Sequence, residues 1–211
     1  MARPSKFDRN EALDLVTEVI RTGGYEQASV KALSERLGIS RSSFYNAFGS
    51  REELFAEVIT RYAATAPDAP LYGHVTGSIL PLLHGVLRNI CRIRSADPEG
   101  RGCIIVNSIS ELCPSPVDPA PLLTRLAVSS TSRIEGLLQL AHEQGEIDSN
   151  ANVHALALAL QNLMIGLNVL SKVVRDEGDL WLLTETTLRG LGLFPAKAPN
   201  DRNHRNIEAR I

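Results

Sequence analysis

The chain has 211 residues and a net charge of −2, and it is 44% hydrophobic and 22% charged. This length allows one or two domains with a sizeable core, and the composition is ordinary for a soluble globular protein. The near-neutral charge excludes a protein that is basic over its whole surface, so a nucleic-acid binder of this composition must cluster its basic residues locally. No apolar segment follows Met1, which argues against a secretory signal.

The cysteines and the apolar segments argue against an exported or membrane-embedded protein. Cys91, Cys103 and Cys113 are an odd number without metal-type spacing, which predicts reduced thiols and no metal site. The most apolar stretch, residues 151–174, is interrupted by polar residues and falls short of an uninterrupted membrane span. We therefore expect a cytoplasmic protein. No catalytic or cofactor motif is recognisable, so we expect neither an enzyme nor a bound cofactor.

The first predicted helix covers residues 10–22, where apolar residues recur at helical spacing before Gly23 and Gly24 end the helix. A short basic arm precedes it, and this arm suits either phosphate contacts or an ordinary solvated terminus. The basic residues of the arm are Arg3, Lys6 and Arg9.

Residues 29–48 predict two short helices joined by a tight turn. Ser29 and Ser40 are favourable N-caps for helices over residues 29–37 and 41–48, and Gly38 suits the left-handed backbone that ends the first. The second helix can turn phenylalanines inward and leave a polar outer face, which fits the major groove of DNA. A generic helical hairpin is the alternative. The candidate DNA contacts are Ser29, Lys31, Arg41, Ser42, Ser43, Tyr45, Asn46 and, in the next helix, Arg51.

This stretch and its flanks closely resemble the N-terminal domain of the TetR family of transcriptional repressors, over roughly residues 8–62. The matching motifs are Gly-Gly-Tyr at residues 23–25, ALSERLGIS at residues 32–40 and SFYNAFGSREELF at residues 43–55. Many members carry His or Trp where this chain has Asn46 and Ala47, so the operator sequence cannot be taken from relatives.

The rest of the chain predicts further helices and almost no strands. Ser50 and Glu53 form a capping-box pair at the start of a fourth helix, and the Pro-Asp-Ala-Pro sequence at residues 67–70 marks a domain boundary. Five more helices are predicted, over residues 75–94, 102–112, 121–144, 152–175 and 179–193. The prediction is an all-α protein of about nine helices, as the resemblance also implies. Its parts are a three-helix helix-turn-helix DNA-binding domain (1–49), a connecting helix (50–66), a ligand-binding and dimerisation domain (67–194) and a disordered tail (195–211).

The helix predicted over residues 152–175 is apolar nearly all round, so it needs cover on more than one side. Small residues on it allow a second helix to approach closely. We therefore expect a homodimer in which the last two helices of each subunit form a four-helix bundle, as TetR-like proteins do. The alternative is a core helix in a monomer. The expected interface residues are Ala155, Ala159, Leu163, Gly166, Leu167, Leu183, Thr187, Gly190 and Leu191.

Polar residues embedded in apolar stretches are candidates for orienting a small-molecule effector between helices. Each could equally be a core residue whose hydrogen bonds are satisfied. The candidates are His84, Cys103, Asn107, Arg133, Gln161, Asn162 and Asn168.

Cys103 begins a predicted helix directly after Arg101 and Gly102, and both a helix N-terminus and a cation favour the reactive thiolate. This Gly-Cys segment is similar to one in a branch of TetR-like regulators, some of which sense electrophiles or oxidants. The alternative is a buried thiol used for packing.

The sequence thus predicts a dimeric, sequence-specific regulator of transcription, a repressor that a small molecule releases from a palindromic double-stranded DNA operator. Two alternatives stay open. One keeps the fold and makes Cys103 the sensor of an electrophile or oxidant. The other is a helical ligand-binding protein or enzyme with an incidental helix-turn-helix.

Overall fold

The computed structural model describes residues 8–195, which form nine α-helices, one 3₁₀ helix and no strand. The all-α prediction is therefore confirmed. Arg3 and Lys6 of the basic arm, and nearly all of the predicted tail, lie outside the described residues. The helices are α1 (Arg9–Gln27), α2 (Val30–Leu37), α3 (Arg41–Phe48), α4 (Arg51–Thr65), α5 (Ile79–Ser95), α6 (Ile104–Leu112), α7 (Ala120–Glu143), α8 (Val153–Leu170) and α9 (Glu177–Gly190), with the 3₁₀ helix (Ala69–Tyr72) between α4 and α5.

Local side chains set the ends of the helix-turn-helix as predicted. The Oγ atoms of Ser29, Ser40 and Ser50 each accept a backbone N–H from the first turn of the following helix, at 3.0–3.2 Å. Glu53 returns the contact by accepting the Ser50 N–H at 2.8 Å, which completes the capping box. Gly38 ends α2 with φ +64°, in the left-handed region that glycine favours.

The end of α1 differs from the prediction because a distant side chain holds it. The chain kinks at Gly24 (φ +79°) and continues in a helical turn to Gln27. The Glu111 carboxylate, on α6, accepts the backbone N–H groups of Tyr25 and Glu26, both at 2.9 Å. Two consecutive N–H groups that the kink frees from the helix are therefore satisfied from another part of the chain.

Several other elements also depart from the predicted bounds; helix α5, for example, begins at Ile79 rather than at residue 75. The residues 67–70 that were predicted as a linker lead into the 3₁₀ helix, whose Pro70 lies near the helix start where no N–H partner is needed. Helix α8 ends at Leu170 and is followed by turns, so it is shorter than predicted.

The core consists of two clusters of buried apolar residues. One is built by α1 to α4 together with Ile104 of α6 and Leu123 of α7. The other joins the 3₁₀ helix to α5, α7, α8 and α9. Helix α6 and the start of α7 therefore pack with the N-terminal helices although they follow residues 67–70 in sequence. The division of the chain at those residues stays a prediction.

The start of α5 is also held from a distance. Ser78 stands at its N-cap without a side-chain cap hydrogen bond. Instead the Glu146 carboxylate, beyond α7, accepts the N–H groups of Ile79 and Leu80, both at 2.8 Å. A carboxylate at a helix N-terminus also interacts favourably with the helix dipole.

We expect Glu146→Ala to lower the free energy of unfolding by about 1–2 kcal/mol, because two buried N–H groups lose their acceptor. Glu146→Gln keeps a neutral acceptor and should lower the free energy of unfolding by less than Glu146→Ala. The control is Glu143→Ala, which removes an exposed carboxylate whose partner is the Gln139 side chain. Urea denaturation measures all three, and equal losses in Glu146→Ala and Glu143→Ala would contradict the capping role.

Candidate nucleic-acid interface and effector cavity

Helix α3 has one buried aromatic face and one exposed polar face. Phe44 and Phe48 are buried, with ring centroids 5.3 Å apart. These rings fix the rotation of α3 against its neighbours, and Tyr45 is left 53% exposed on the other side. The exposed residues of α3 are Arg41, Ser42, Ser43, Tyr45 and Asn46, which are the candidate contacts predicted on this helix.

The charges on this surface are basic and unpaired within the described part of the chain. Helix α3 carries no acidic residue, and neither Arg41 nor Lys31 forms an ion pair there. Ser29 is half-buried as the N-cap of α2. At the start of α3, the Ser40 Oγ lies 2.9 Å from the Oγ atoms of Ser42 and Ser43. The interface thus combines two free cations with a cluster of hydroxyl groups.

Arg51, a candidate DNA contact, binds within the protein, and its role on DNA stays a prediction. Its guanidinium donates to the carbonyl oxygen of Tyr25 and lies over the Tyr25 ring, 3.8 Å from the centroid. The Tyr25 hydroxyl in turn donates to Glu52 at 3.1 Å, and burial raises the pKa of Tyr25 to about 12. Arg51 therefore fastens the end of α1 to the start of α4, because the kinked turn offers it both a carbonyl and an aromatic face.

Arg9 of the predicted basic arm is also held within the protein. Its guanidinium donates to the Ala47 carbonyl at 2.6 Å and pairs with Glu57 at 2.6 Å. This contact ties the start of α1 to the C-terminal end of α3, where a cation is favourable. Helix α1 is thus held to α3 at its start through Arg9 and to α4 at its end through Arg51.

Most residues of the predicted dimer interface lie on the surface of α8 and α9, but two of them are buried in the core. Leu163 and Leu167 are 8% and 1% exposed and belong to the core of their own subunit. The other predicted residues are exposed or half-buried: Ala155, Ala159, Gly166, Leu183, Thr187, Gly190 and Leu191.

The predicted interface did not include the most exposed apolar side chains on α8 and α9. Leu158 and Val169 on α8 are 51% and 48% exposed, and Leu182 on α9 is 64% exposed. Helix α8 is also the one described helix long and apolar enough to cross a membrane by composition alone, with 33% of that window buried. One side of α8 packs in the core, so its composition reflects two apolar faces.

A cavity of about 550 Å³ lies between α4, the 3₁₀ helix, α6, α7 and α8. Its walls are mainly apolar, with Ile105, Val106 and Met164 among them. A chain of hydrogen bonds crosses one side: the Tyr72 hydroxyl lies 2.6 Å from the Ser130 Oγ, which donates to the Gln161 Oε1 at 3.0 Å. An apolar cavity with a few convergent polar groups is the usual form of a small-molecule site.

Three of the seven predicted ligand residues line this cavity, namely Cys103, Gln161 and Asn168. Cys103 is buried at the start of α6, and its role as a sensor stays a prediction. Asn107 lines a separate surface cleft and donates to the Arg101 carbonyl at 2.8 Å. Asn162 is exposed on α8.

The remaining two predicted ligand residues have structural contacts outside the cavity. His84 packs edge-on against Trp181, with ring centroids 4.8 Å apart. Arg133 donates to the carbonyl oxygens of Leu71 and Gly73, both at 2.7 Å, and so holds the end of the 3₁₀ helix. Both interact with segments that are distant in sequence, which the pattern of the sequence could not indicate.

The structure adds Asp68, Tyr72 and Ser130 to the cavity. No spacing signal marked them, because Asp68 was part of a predicted linker and the other two stand on separate elements. Their proximity depends on how the 3₁₀ helix packs against α7.

A buried arginine of α5 connects α8, α4 and the segment before α6 at the cavity wall. Arg94 of α5 is 5% exposed and donates to Asn168 Oδ1 at 2.7 Å, to the Gly102 carbonyl at 2.8 Å and to the Tyr62 hydroxyl at 3.0 Å. These partners belong to α8, to the segment before α6 and to α4. Burial raises the pKa of Tyr62 to about 12, so its hydroxyl stays neutral.

Comparison with known proteins identifies the family. The family model described as "Bacterial regulatory proteins, tetR family" matches residues 13–58, and "Tetracyclin repressor-like, C-terminal domain" matches residues 80–184. The chain belongs to the TetR family of bacterial regulatory proteins. It is accordingly a DNA-binding transcriptional regulator, of a family that works as dimers and in which release by a ligand is typical.

Individual relatives agree along nearly the whole chain. The uncharacterized HTH-type transcriptional regulator YezE of Bacillus subtilis is 29% identical over 185 residues, covering 83% of this chain and 92% of the relative. The HTH-type transcriptional repressor ComR of Escherichia coli is 27% identical over 190 residues, covering 89% and 90%. A solved structure of the TetR family regulator CifR, a cysteine mutant complexed with 26-bp operator DNA, has 28% identity and a TM-score of 0.75, covering 89% and 98%. These relatives are transcriptional regulators, which agrees with the expectation of a non-enzyme.

We expect Arg51→Ala to lower the free energy of unfolding by about 1–3 kcal/mol, since it removes a charged hydrogen bond and a cation–π contact. Arg41→Ala, an exposed arginine on the neighbouring helix, is the matched control and should leave stability nearly unchanged. Thermal or denaturant unfolding of the two variants measures the difference. Equal stability would show that the Tyr25 contact contributes nothing.

Proposed function

We propose that α2 and α3 of each subunit bind successive major-groove segments of a palindromic operator, and that a small molecule in the cavity releases the DNA. The observation that carries this proposal is the exposed polar face of α3, with Arg41, Tyr45 and Asn46 projecting from a helix whose other face is locked by buried phenylalanines. A recognition helix needs this combination of fixed rotation and free hydrogen-bonding groups. The protein acts on DNA, so we place it in the cytoplasm.

The proposed contacts divide by chemistry. Arg41 and Lys31 supply positive charge for phosphates, or in the case of Arg41 for guanine. Asn46 and Tyr45 offer hydrogen bonds to base edges or backbone, and Ser29, Ser42 and Ser43 lie at the helix starts where phosphates are favoured. These residues together would contact a short segment of DNA in each half-site.

Two helices connect the proposed effector cavity to the DNA-binding surface. The last turns of α4, near Thr60 and Ala63, line the cavity, while its first turn is fastened to α1 through Arg51. Helix α6 lines the cavity with Ile105 and holds the end of α1 through Glu111. A ligand that displaces either helix therefore changes the position of the helix-turn-helix. A shift in half-site spacing would then reduce DNA affinity.

The proposed subunit interface combines the exposed apolar residues of α8 and α9. Leu158 and Val169 lie eleven residues apart on α8, about three helical turns, and so share one face with Gly166 near them. Leu182 and Leu183 extend this surface onto α9. A two-fold axis through it would bury the apolar side chains of both subunits and pair the recognition helices.

We expect Arg41→Ala to weaken operator binding and to reduce the slope of log affinity against log salt by about one. Asn46→Ala should instead reduce the preference for operator over unrelated DNA by about 1–3 kcal/mol. Fluorescence anisotropy with the promoter DNA of the gene, over a salt series, measures both. The control is Arg92→Ala, an exposed arginine on α5, and unchanged binding in both test variants would overturn the assigned surface.

Leu158→Glu combined with Leu182→Glu should dissociate the dimer, because two charges per subunit would lose their hydration in the interface. Light scattering after size exclusion measures the mass. Val128→Glu is the control, since Val128 is 62% exposed on α7, outside the proposed interface. A dimer that persists in the double variant would place the subunit contact elsewhere.

A further inference from the structure

The described lining of the cavity carries a single formal charge. Of the described residues that line it, Asp68 is the one with a formal charge, and none is Lys, Arg or His. An anionic ligand would therefore lose its hydration without meeting a cation in the wall.

Two arginines lie behind the wall, and the charge of Arg94 acts on Asp68 while that of Arg133 acts on Tyr72. Arg94 uses its guanidinium on Asn168, Gly102 and Tyr62, and Arg133 uses its own on backbone carbonyls. Neither lines the cavity. Both side chains are held by acceptors of the protein, so a ligand carboxylate or phosphate would have to displace those contacts.

Asp68 in contrast is available. It stands at the start of the 3₁₀ helix without a side-chain cap hydrogen bond, and no described residue forms a salt bridge with it. Burial raises the pKa of its carboxyl, and a backbone hydrogen bond of Asp68 and the positive charge of Arg94 oppose that effect. The charged carboxylate thus lacks part of the stabilisation that water would give it. A bound cation would supply that stabilisation.

The rest of the cavity suits an apolar body with one polar end. Ile105, Ile109, Leu126 and Ile165 form continuous apolar wall from three helices. Among the residues that the structure describes, Tyr72 is the one aromatic residue in the lining, so this part of the chain supplies no cage of rings of the kind that holds quaternary ammonium groups. A primary or secondary ammonium, which can donate hydrogen bonds to a carboxylate, fits the wall better.

We infer that the effector of this protein is an amphiphilic organic amine whose ammonium group binds Asp68 and whose apolar body fills the space between α6, α7 and α8. This rests on the proposed function only in calling the ligand an effector, since the charge preference of the cavity can be measured without DNA.

The test uses three probes with the same apolar chain, namely octylamine, octanol and octanoate, bound to the full-length protein in isothermal titration calorimetry. Octylamine should bind about tenfold more tightly than octanol or better, since a charge-assisted hydrogen bond replaces a neutral one. Octanoate should bind most weakly. Asp68→Asn should abolish the amine preference and leave octanol affinity unchanged, because the amide keeps the size of the side chain.

The matched control is Asp118→Asn, which removes an exposed carboxylate between α6 and α7 that does not line the cavity. It should keep the amine preference. An amine preference that survives in Asp68→Asn, octanoate binding as tight as octylamine binding, or no octylamine binding at all would overturn the inference.

A DNA release assay separates this inference from the proposed function. Octylamine should release operator DNA from the wild type and much less from Asp68→Asn. If octylamine binds through Asp68 but the DNA stays bound, the ligand class holds and the regulatory role of the cavity fails. If operator binding and release by another compound are observed without any amine preference, the regulatory role holds and the ligand class fails.

Discussion

The buried guanidinium of Arg94 is the constraint around which the two halves of the molecule are arranged. A cation with 5% exposure needs its donors satisfied, and here the acceptors come from α8, from the segment before α6 and from α4. Three elements that surround the cavity therefore meet at one side chain of α5. Moving any one of these neutral acceptors would leave a buried charged donor without its hydrogen bond. The relative positions of the three elements are therefore strongly preferred.

This arrangement determines which charges line the cavity. It also connects the cavity to the N-terminal helices. Arg94 lies behind Asn168, so its charge stabilises the structure without offering itself to a ligand. Asp68 is left as the charge in the wall. The same helices that enclose the cavity also hold α1, through Arg51 on α4 and Glu111 on α6. The end of α1 is thus held by two helices that also line the cavity.

The helix-turn-helix could be predicted almost residue by residue, because its signals are local. A serine cap, a terminal glycine and a capping box act within four residues of where they stand, and Ser29, Gly38 and Ser50 with Glu53 take the predicted roles. The roles of Arg51, Arg133 and Leu167 could not be predicted in this way. Their partners are Tyr25, the 3₁₀ helix and the core cluster of α5, α7, α8 and α9, and each pairing depends on tertiary packing.

The sequence by itself determined the fold class, the family and the polar face of α3, since helical periodicity and capping are properties of short segments. Only the tertiary structure decided what surrounds each polar side chain. It assigned Arg51 to the end of α1, turned Leu163 and Leu167 into the core, and left Leu158 and Leu182 on the surface. It also made Asp68, from a predicted linker, the charge that faces the cavity. The physical reason is that burial and hydrogen-bond partners are set by contacts between segments far apart in the chain.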